Sequence, residues 1–244
     1  MTGLTDLMTD LDYSPAAEEL TPVRRWLAGH GNRLGAFVDG RFTRPGAELP
    51  VITALDGAMI AHATETTVEE GLRALRVARR SGKRWAALAP WERTDHLLSF
   101  ARRVEENRTL LTLLSVLETG RPITRVQEET AALPGRLRAA ATAPSDAPLG
   151  VGLMLLSADT GLGDIAHDLA AALAAGNALV LKPAPKTPLT ALALAAIAAE
   201  GGLPRGLLNV VSGGAPLGSA LAQSEIPGRI VLFGSEEAGR ALVR

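Results

Sequence analysis

The segment LAAALAAGNALVLKPAPKTPLTAL, residues 169–192, decides how the rest of this chain is organised. Its small apolar residues predict a helix that ends at Gly176-Asn177, and Ala178–Leu181 then forms an apolar strand. Lys182 follows the strand directly, and Thr187-Pro188 opens a second alanine- and leucine-rich helix. The segment is therefore a helix–strand–helix unit with a cation at the carboxyl end of its strand. Ligands of open α/β sheets bind at that end of the strands.

The same alternation of apolar strands and helices extends over the whole of residues 148–244. Almost wholly apolar strands are expected where helices cover both faces of a sheet, and the alternation itself predicts a parallel sheet of right-handed crossover units. The predicted strands are 151–156, 178–181, 207–211 and 229–233, and the predicted helices are 165–175, 189–200, 216–223 and 236–243. This part of the chain is thus predicted to have an α/β fold.

Residues before this region show a different pattern. An acidic arm, residues 1–20, precedes a short helix that starts at Thr21-Pro22. Two Asp-Gly dipeptides then predict hairpin turns between short strands, within 36–42 and 51–62. Helices are predicted from Thr67 and over 91–107, 109–118 and 128–141, the last interrupted by Pro134-Gly135.

We divide the chain into three parts on these signals. Residues 1–35 form the arm and short helix, and residues 36–147 form an N-terminal β-hairpin, further strands and a helical segment. Residues 148–244 form the α/β domain, which follows the linker TAPSDAPL at 142–149.

The composition limits the classes of partner and chemistry. The formal net charge is −1, from 25 basic and 26 acidic residues, so neither a nucleic acid nor a membrane is expected as a partner. The absence of cysteine excludes disulfides and any thiol nucleophile within these residues. Four scattered histidines show no metal-ligand spacing, and no metal site is predicted. The N-terminus lacks signal-peptide features and no apolar run reaches membrane-spanning length, which predicts a cytoplasmic protein.

Residues at four positions after the predicted strands are candidates for ligand binding or catalysis, and each has two interpretations. Lys182 reaches a ribose hydroxyl or a phosphate, or it is simply solvated at the end of a strand. Ser235, after Gly234, either only caps the last helix or also offers an anion site at the helix N-terminus. Gly213-Gly214 allows close approach of a ligand or forms an ordinary turn. Asp159 lies in the loop after the first strand, where turn chemistry explains it equally well.

The order of the motifs closely resembles the N-terminal, cofactor-binding half of NAD(P)-dependent aldehyde dehydrogenases. The matching stretches are PLGVG (148–152), ALAAGNALVLKPAPKTPLTAL (172–192), GGLPRGLLNVVSGG (201–214), VLFGSEEAGR (231–240), FVDGRF (37–42) and ETGRP (118–122). The resemblance covers roughly residues 35–244. It implies a Rossmann-like domain over 148–244 with helices on both faces of the sheet, and a nicotinamide dinucleotide, NAD or NADP, as the cofactor.

Carried over position by position, the resemblance assigns cofactor contacts to six residues. Lys182 matches the lysine that binds the adenosine ribose, and Ser235, after Gly234, matches the serine at the pyrophosphate. Gly213 and Gly214 fall at the turn beside the adenine, and Leu156 ends the first strand, where the backbone faces the cofactor.

Departures from the family pattern set the functional prediction. Asp159 falls on the oxyanion-hole asparagine, and a carboxylate donates no hydrogen bond unless it is protonated, so no catalytic residue is predicted here. Pro185 replaces the residue that assists the ribose lysine. The family's general-base glutamate and nucleophilic cysteine belong to segments after residue 244, so the catalytic domain is expected to be absent.

Three hypotheses follow for the function. In the first, the chain is a truncated cofactor-binding half that is inactive alone and pairs with a separate catalytic half. In the second, it is a pseudoenzyme that binds or regulates a full-length relative. A structural subunit without nucleotide affinity is the third.

Overall fold

The computed structural model describes residues 20–44, 46–143 and 147–243, so residues 1–19 of the predicted arm and the centre of the linker lie outside the described residues. The first half contains α1 (Thr21–Gly29), β1 (Arg33–Leu34), β2 (Phe37–Val38), β3 (Arg41–Phe42), β4 (Glu48–Ile52), β5 (Met59–Thr64), α2 (Val68–Ala86), α3 (Pro90–Glu106), α4 (Arg108–Thr119) and α5 (Ile123–Thr142). The second half contains β6 (Val151–Leu156), α6 (Leu162–Ala174), β7 (Ala178–Lys182), α7 (Leu189–Glu200), β8 (Leu208–Val210), α8 (Ala215–Ala222), β9 (Pro227–Phe233) and α9 (Glu236–Val243). Within these ranges, no helix is both long and apolar enough to cross a membrane.

The larger sheet has six strands in the order β3-β2-β8-β7-β6-β9. Its four strands β8, β7, β6 and β9 are parallel, with Leu153 of β6 opposite both Val180 of β7 and Ile230 of β9. The strands β6 and β7 are buried along their whole length, which explains why they read as continuous apolar runs. The predicted α/β fold with a Rossmann-like parallel sheet is confirmed.

The N-terminal hairpin is part of this same sheet. Strand β2 pairs with β3 and, on its other side, antiparallel with β8. The turn between β2 and β3 has positive φ angles at Asp39 (57°) and Gly40 (73°), the geometry that Asp-Gly favours in tight hairpins. The sheet therefore contains strands from both sides of the predicted boundary at residue 147.

Helices cover both faces of the sheet and set the place of the ligand crevice. Helices α6 and α7 pack on one face, with α3, α4 and α5 outside them, whereas α2 and α8 pack on the other face. The chain moves away from β6 through β7 to β8, and α8 then returns it to β9 on the opposite side of β6. This reversal between β6 and β9 is the topological switch point, where a crevice opens at the carboxyl ends of the strands.

A smaller sheet, in the order β1-β5-β4, sits beside the end of β8. The β4–β5 hairpin that Asp56-Gly57 predicts is present. Just after β5, the Thr66 backbone N–H donates to the Ser212 carbonyl at 2.7 Å, and the Ser212 N–H donates to Thr66 Oγ1 at 3.1 Å. These two bonds hold the end of β5 against the turn that follows β8.

The predicted interruption at Pro134-Gly135 is wrong, because α5 runs without a break from Ile123 to Thr142. Proline removes one backbone donor and crowds the carbonyl one turn earlier, here that of Thr130. Thr130, Leu133 and Pro134 are nevertheless buried in the face of α5 that packs on α3 and α6. Burial of this apolar face outweighs the local cost of the proline.

Replacing Pro134 by alanine is expected to raise the free energy of unfolding by about 1 kcal/mol. Proline costs about 3 kcal/mol relative to alanine inside a helix, while the two lost buried methylenes cost about 1.6 kcal/mol. Urea unfolding measures the difference. The exposed neighbour Gly135 faces open space, so Gly135→Ala provides a reference for helix propensity alone. A destabilised Pro134→Ala variant would show that ring packing dominates.

Candidate functional site

A cleft of about 920 Å³ lies at the switch point, at the carboxyl ends of the parallel strands. The loops after β6, β7, β8 and β9 form its walls. All six residues that the sequence assigned to the cofactor line it: Leu156, Lys182, Gly213, Gly214, Gly234 and Ser235. Asp159 and Pro185 also line it. Residues far apart in the chain are thus brought into one cleft, while their individual roles remain predictions.

Lys182 is buried, with 8% of its surface exposed, so the alternative of a solvated strand-end lysine does not hold. Its Nζ donates hydrogen bonds to the carbonyl of Gly213 at 2.7 Å and to that of Pro183 at 3.3 Å. Burial lowers the pKa of Lys182, and the carboxylate of Glu65 acts in the opposite direction. Two carbonyls therefore orient the ammonium at the wall of the cleft.

The turn Gly213-Gly214 connects β8 to α8. A Cβ atom at Gly213 would lie 2.6 Å from Cδ2 and 3.2 Å from Cβ of Leu217 in α8, so a larger residue there would displace the Leu217 side chain. Gly214 is the N-cap residue of α8, and its N–H donates to Glu65 Oε1 at 3.2 Å. The glycines thus serve the turn itself and also present backbone to the cleft.

Ser235 is the predicted cap of the last helix. Its Oγ accepts a hydrogen bond from the Ala238 N–H at 3.2 Å. Both residues line the cleft, so the N-terminus of α9 opens towards it. The partial positive charge of a helix N-terminus favours a bound anion at this end of the cleft.

Asp159 forms a small polar cluster with its neighbours after β6. Ser157 Oγ donates to Asp159 Oδ1 at 2.5 Å and lies 2.8 Å from Thr160 Oγ1. The hydrogen bond from Ser157, then that from its own backbone N–H, holds the pKa of Asp159 below its usual value, and Arg121 adds a smaller effect. Asp159 is therefore an ionised hydrogen-bond acceptor at neutral pH.

Sequence reasoning missed Glu118, the buried acid of the ETGRP stretch. Its carboxylate accepts hydrogen bonds from the N–H groups of Leu189 and Thr190 and from Thr190 Oγ1, the last at 2.6 Å. It thereby caps α7, the helix that follows the loop after Lys182. Burial raises the pKa of Glu118 to about 7, against these hydrogen bonds. The available signal was a single acid on the buried apolar helix α4.

Glu65 was also missed, because nothing in the local sequence indicates that the end of β5 meets the turn after β8. For metals, the described residues contain no group of three or more histidine, aspartate or glutamate side chains arranged to hold an ion.

Sequence comparison finds a match to the aldehyde dehydrogenase family over residues 42–244. A betaine aldehyde dehydrogenase of Cereibacter sphaeroides (strain ATCC 17025 / ATH 2.4.3) is 37% identical over 84% of this chain and 46% of its own length. The mitochondrial aldehyde dehydrogenase family 2 member B4 of Arabidopsis thaliana is 32% identical over 86% of this chain and 42% of its own length. The chain spans about half the length of the curated relatives it matches.

Solved structures give the same result. An indole-3-acetaldehyde dehydrogenase mutant of P. syringae, solved in complex with NAD+, matches with a TM-score of 0.79 and 28% identity, over 85% of this chain and 47% of the other. An NAD+ complex of an aldehyde dehydrogenase from Bacillus cereus has a TM-score of 0.83 over 90% of this chain and 50% of the other; at 24% identity it supports the fold alone. Both sequence and fold lead to one conclusion. This chain belongs to the aldehyde dehydrogenase family.

Proposed function

We propose that the chain binds NAD or NADP in the cleft at the switch point. The single observation that supports this best is the convergence of Lys182, the Gly213-Gly214 turn and Ser235 on one cleft. These features combine a hydrogen-bond donor for a ribose hydroxyl, a backbone surface for a base and a helix N-terminus for a pyrophosphate.

The residues present fit a nicotinamide dinucleotide. A cleft of about 920 Å³ is within the size range of cofactor pockets. In this proposal Lys182 holds the adenosine ribose, Ser235 and the N-terminus of α9 hold the pyrophosphate, and Gly213-Gly214 flanks the adenine. Gly234 and the backbone of Leu156 complete the contacts. A bound nicotinamide would supply the hydride acceptor for oxidation of an aldehyde to an acid.

We further propose that the chain does not oxidise aldehydes by itself. Its 244 residues include no cysteine, and therefore no thiol nucleophile. The ionised Asp159 offers a negative charge where the family resemblance places an oxyanion donor. Loss of one such donor typically lowers the rate by roughly 10²–10³.

A partner that carries the catalytic half, or a full-length relative, is the third element of the proposal. Strand β9 lies at the edge of the larger sheet with one neighbour among the described strands, and its Ile230 is 43% exposed. An exposed apolar strand at a sheet edge favours pairing with a further strand.

A pseudoenzyme that regulates a relative is the second candidate, and the carboxylate at position 159 favours it. Like the first candidate, a pseudoenzyme is expected to bind the nucleotide without catalysing a reaction. The cytoplasmic location stays a prediction from the sequence.

Calorimetric titration of the purified chain with NAD+ and with NADP+ tests the proposal. Saturable binding is expected, with no NADH or NADPH formed on addition of betaine aldehyde, the aldehyde in the name of the Cereibacter sphaeroides relative. A sample that unfolds cooperatively but binds neither nucleotide at millimolar concentration would contradict nucleotide binding. Formation of NADH by the pure chain would contradict its inactivity.

A further inference from the structure

The turn that follows β8 is held between two opposite charges. On one side, the ammonium of Lys182 donates to the Gly213 carbonyl at 2.7 Å. On the other, the carboxylate of Glu65 accepts from the Gly214 N–H at 3.2 Å. Glu65 owes this position to the Thr66–Ser212 hydrogen bonds, which hold the end of β5 beside the turn. A carboxylate and an ammonium thus flank the same dipeptide at the wall of the cleft.

This pairing changes the electrostatics at the corner of the cleft that Lys182, Glu65 and the Gly213-Gly214 turn form. The carboxylate of Glu65 favours the charged form of Lys182 and raises its pKa against the larger, opposite effect of burial, and the two side chains carry opposite formal charges. The carboxylate also occupies the anion position at the N-terminus of α8, because Gly214 is the N-cap residue of that helix. A phosphate that approached this corner would meet a carboxylate already in that position.

The hydrogen-bonding capacity of the corner suits hydroxyl groups instead. Two of the three N–H donors of Lys182 bind carbonyls, which leaves one for a ligand oxygen. A carboxylate oxygen accepts from a hydroxyl, whereas Pro185, on the loop after Lys182, has no side-chain donor or acceptor. In dinucleotide-binding folds an acidic side chain pairs with a free ribose 2′-hydroxyl, while a basic one accommodates a 2′-phosphate.

We propose that Glu65 is a specificity-determining residue of the cleft. With Lys182 it forms a corner that accepts the 2′-hydroxyl of the adenosine ribose and excludes a 2′-phosphate, so the chain prefers NAD over NADP. This inference rests on the proposed function, since it concerns the adenosine end of the same cleft.

The test compares the dissociation constants of NAD+ and NADP+, which differ only in the 2′-phosphate, for the wild-type chain and Glu65→Gln. The wild type is expected to bind NAD+ more tightly. Loss of a charged hydrogen-bond partner typically changes affinity by about tenfold or more, so Glu65→Gln is expected to shift the ratio towards NADP+ by about that factor. The glutamine keeps an oxygen for the Gly214 N–H.

Glu69→Gln is the matched control. Glu69 is exposed in the first turn of α2, and its substitution removes the same charge but leaves the Glu65–Gly214 hydrogen bond in place, so the ratio should stay within about twofold because salt screens exposed charges. An unchanged ratio in Glu65→Gln, with both nucleotides bound, would overturn the inference and leave Glu65 as a cap of α8 whose loss lowers only the unfolding temperature. Failure of the wild type to bind either nucleotide would instead overturn the proposed function, and this inference with it.

Discussion

Replacing Lys182 by methionine is expected to weaken binding of both NAD+ and NADP+ by about 30- to 100-fold, the effect of losing a charged hydrogen bond. Methionine keeps an unbranched apolar stem at this position. The stem of Lys182 packs close to Gly218, where its Cδ lies 3.6 Å from the position that a Cβ of residue 218 would occupy. The substitution also removes a buried ammonium together with its two hydrogen bonds to carbonyls. Loss of the hydrogen bonds destabilises the folded chain, whereas removal of a buried charge stabilises it. The two effects offset each other, so the free energy of unfolding should change by less than about 1 kcal/mol.

The control for this variant is Lys186→Met. Lys186 lies in the loop that follows Lys182 but is exposed and does not line the cleft, so the change in net charge is the same while the cleft is untouched. Calorimetric titrations of both variants, at one salt concentration, separate a specific contact from a general loss of positive charge. Equal affinities in Lys182→Met and the wild type would remove Lys182 from the proposed site.

Replacing Glu118 by glutamine is expected to remove a pH dependence of stability of about 3 kcal/mol between about pH 4.5 and pH 7. The pKa of Glu118 is about 7 in the folded chain, against 4.5 for an exposed glutamate. The folded state therefore binds the proton more tightly. Its contribution to stability is complete below pH 4.5 and is lost as the pH rises through 7, at about 1.4 kcal/mol per pH unit.

Urea unfolding at pH 5, 6, 7 and 8 measures this difference between the wild type and Glu118→Gln. The wild type should lose stability relative to the variant across this range. At low pH the variant should be weaker by about 1 kcal/mol, since its amide cannot accept from every donor at the start of α7. Glu128→Gln, an exposed acid on α5, should follow the wild type. Parallel curves for the wild type and Glu118→Gln would show that Glu118 stays ionised across the range.

Much of the fold was predictable from local patterns. The apolar runs at 151–156 and 178–181 and the leucine–alanine helix at 189–200 agree with β6, β7 and α7 to within a residue. Their periodicity reflects burial on one or both faces, which is a local property of the sequence. The break at Pro134 failed for the opposite reason, because packing of α5 on α3 and α6 overrides a local preference.

The candidate site was predictable only in part. Lys182, Gly213 and Ser235 come at or after the carboxyl ends of predicted strands. Because the alternation of strands and helices predicts a parallel sheet, it also predicts that these residues meet at one edge of the sheet. Glu65 and Glu118 have no such signal. Their partners Gly214 and Leu189 lie 149 and 71 residues away in the chain. Contacts at such separations depend on which elements become neighbours in the folded chain. Secondary-structure propensity and hydrophobic periodicity contain no information about those neighbours.

The sequence by itself determined the elements, the parallel sheet, the family resemblance and the absence of a thiol among these residues. These properties depend on residue type and spacing, which can be read one segment at a time. The tertiary structure alone decided that the N-terminal hairpin joins the sheet at β8, that Lys182 is buried and donates to two carbonyls, and that Glu65 accepts from the Gly214 N–H at the start of α8. The physical reason is that burial and charge pairing depend on distances between segments, which only the packed chain defines.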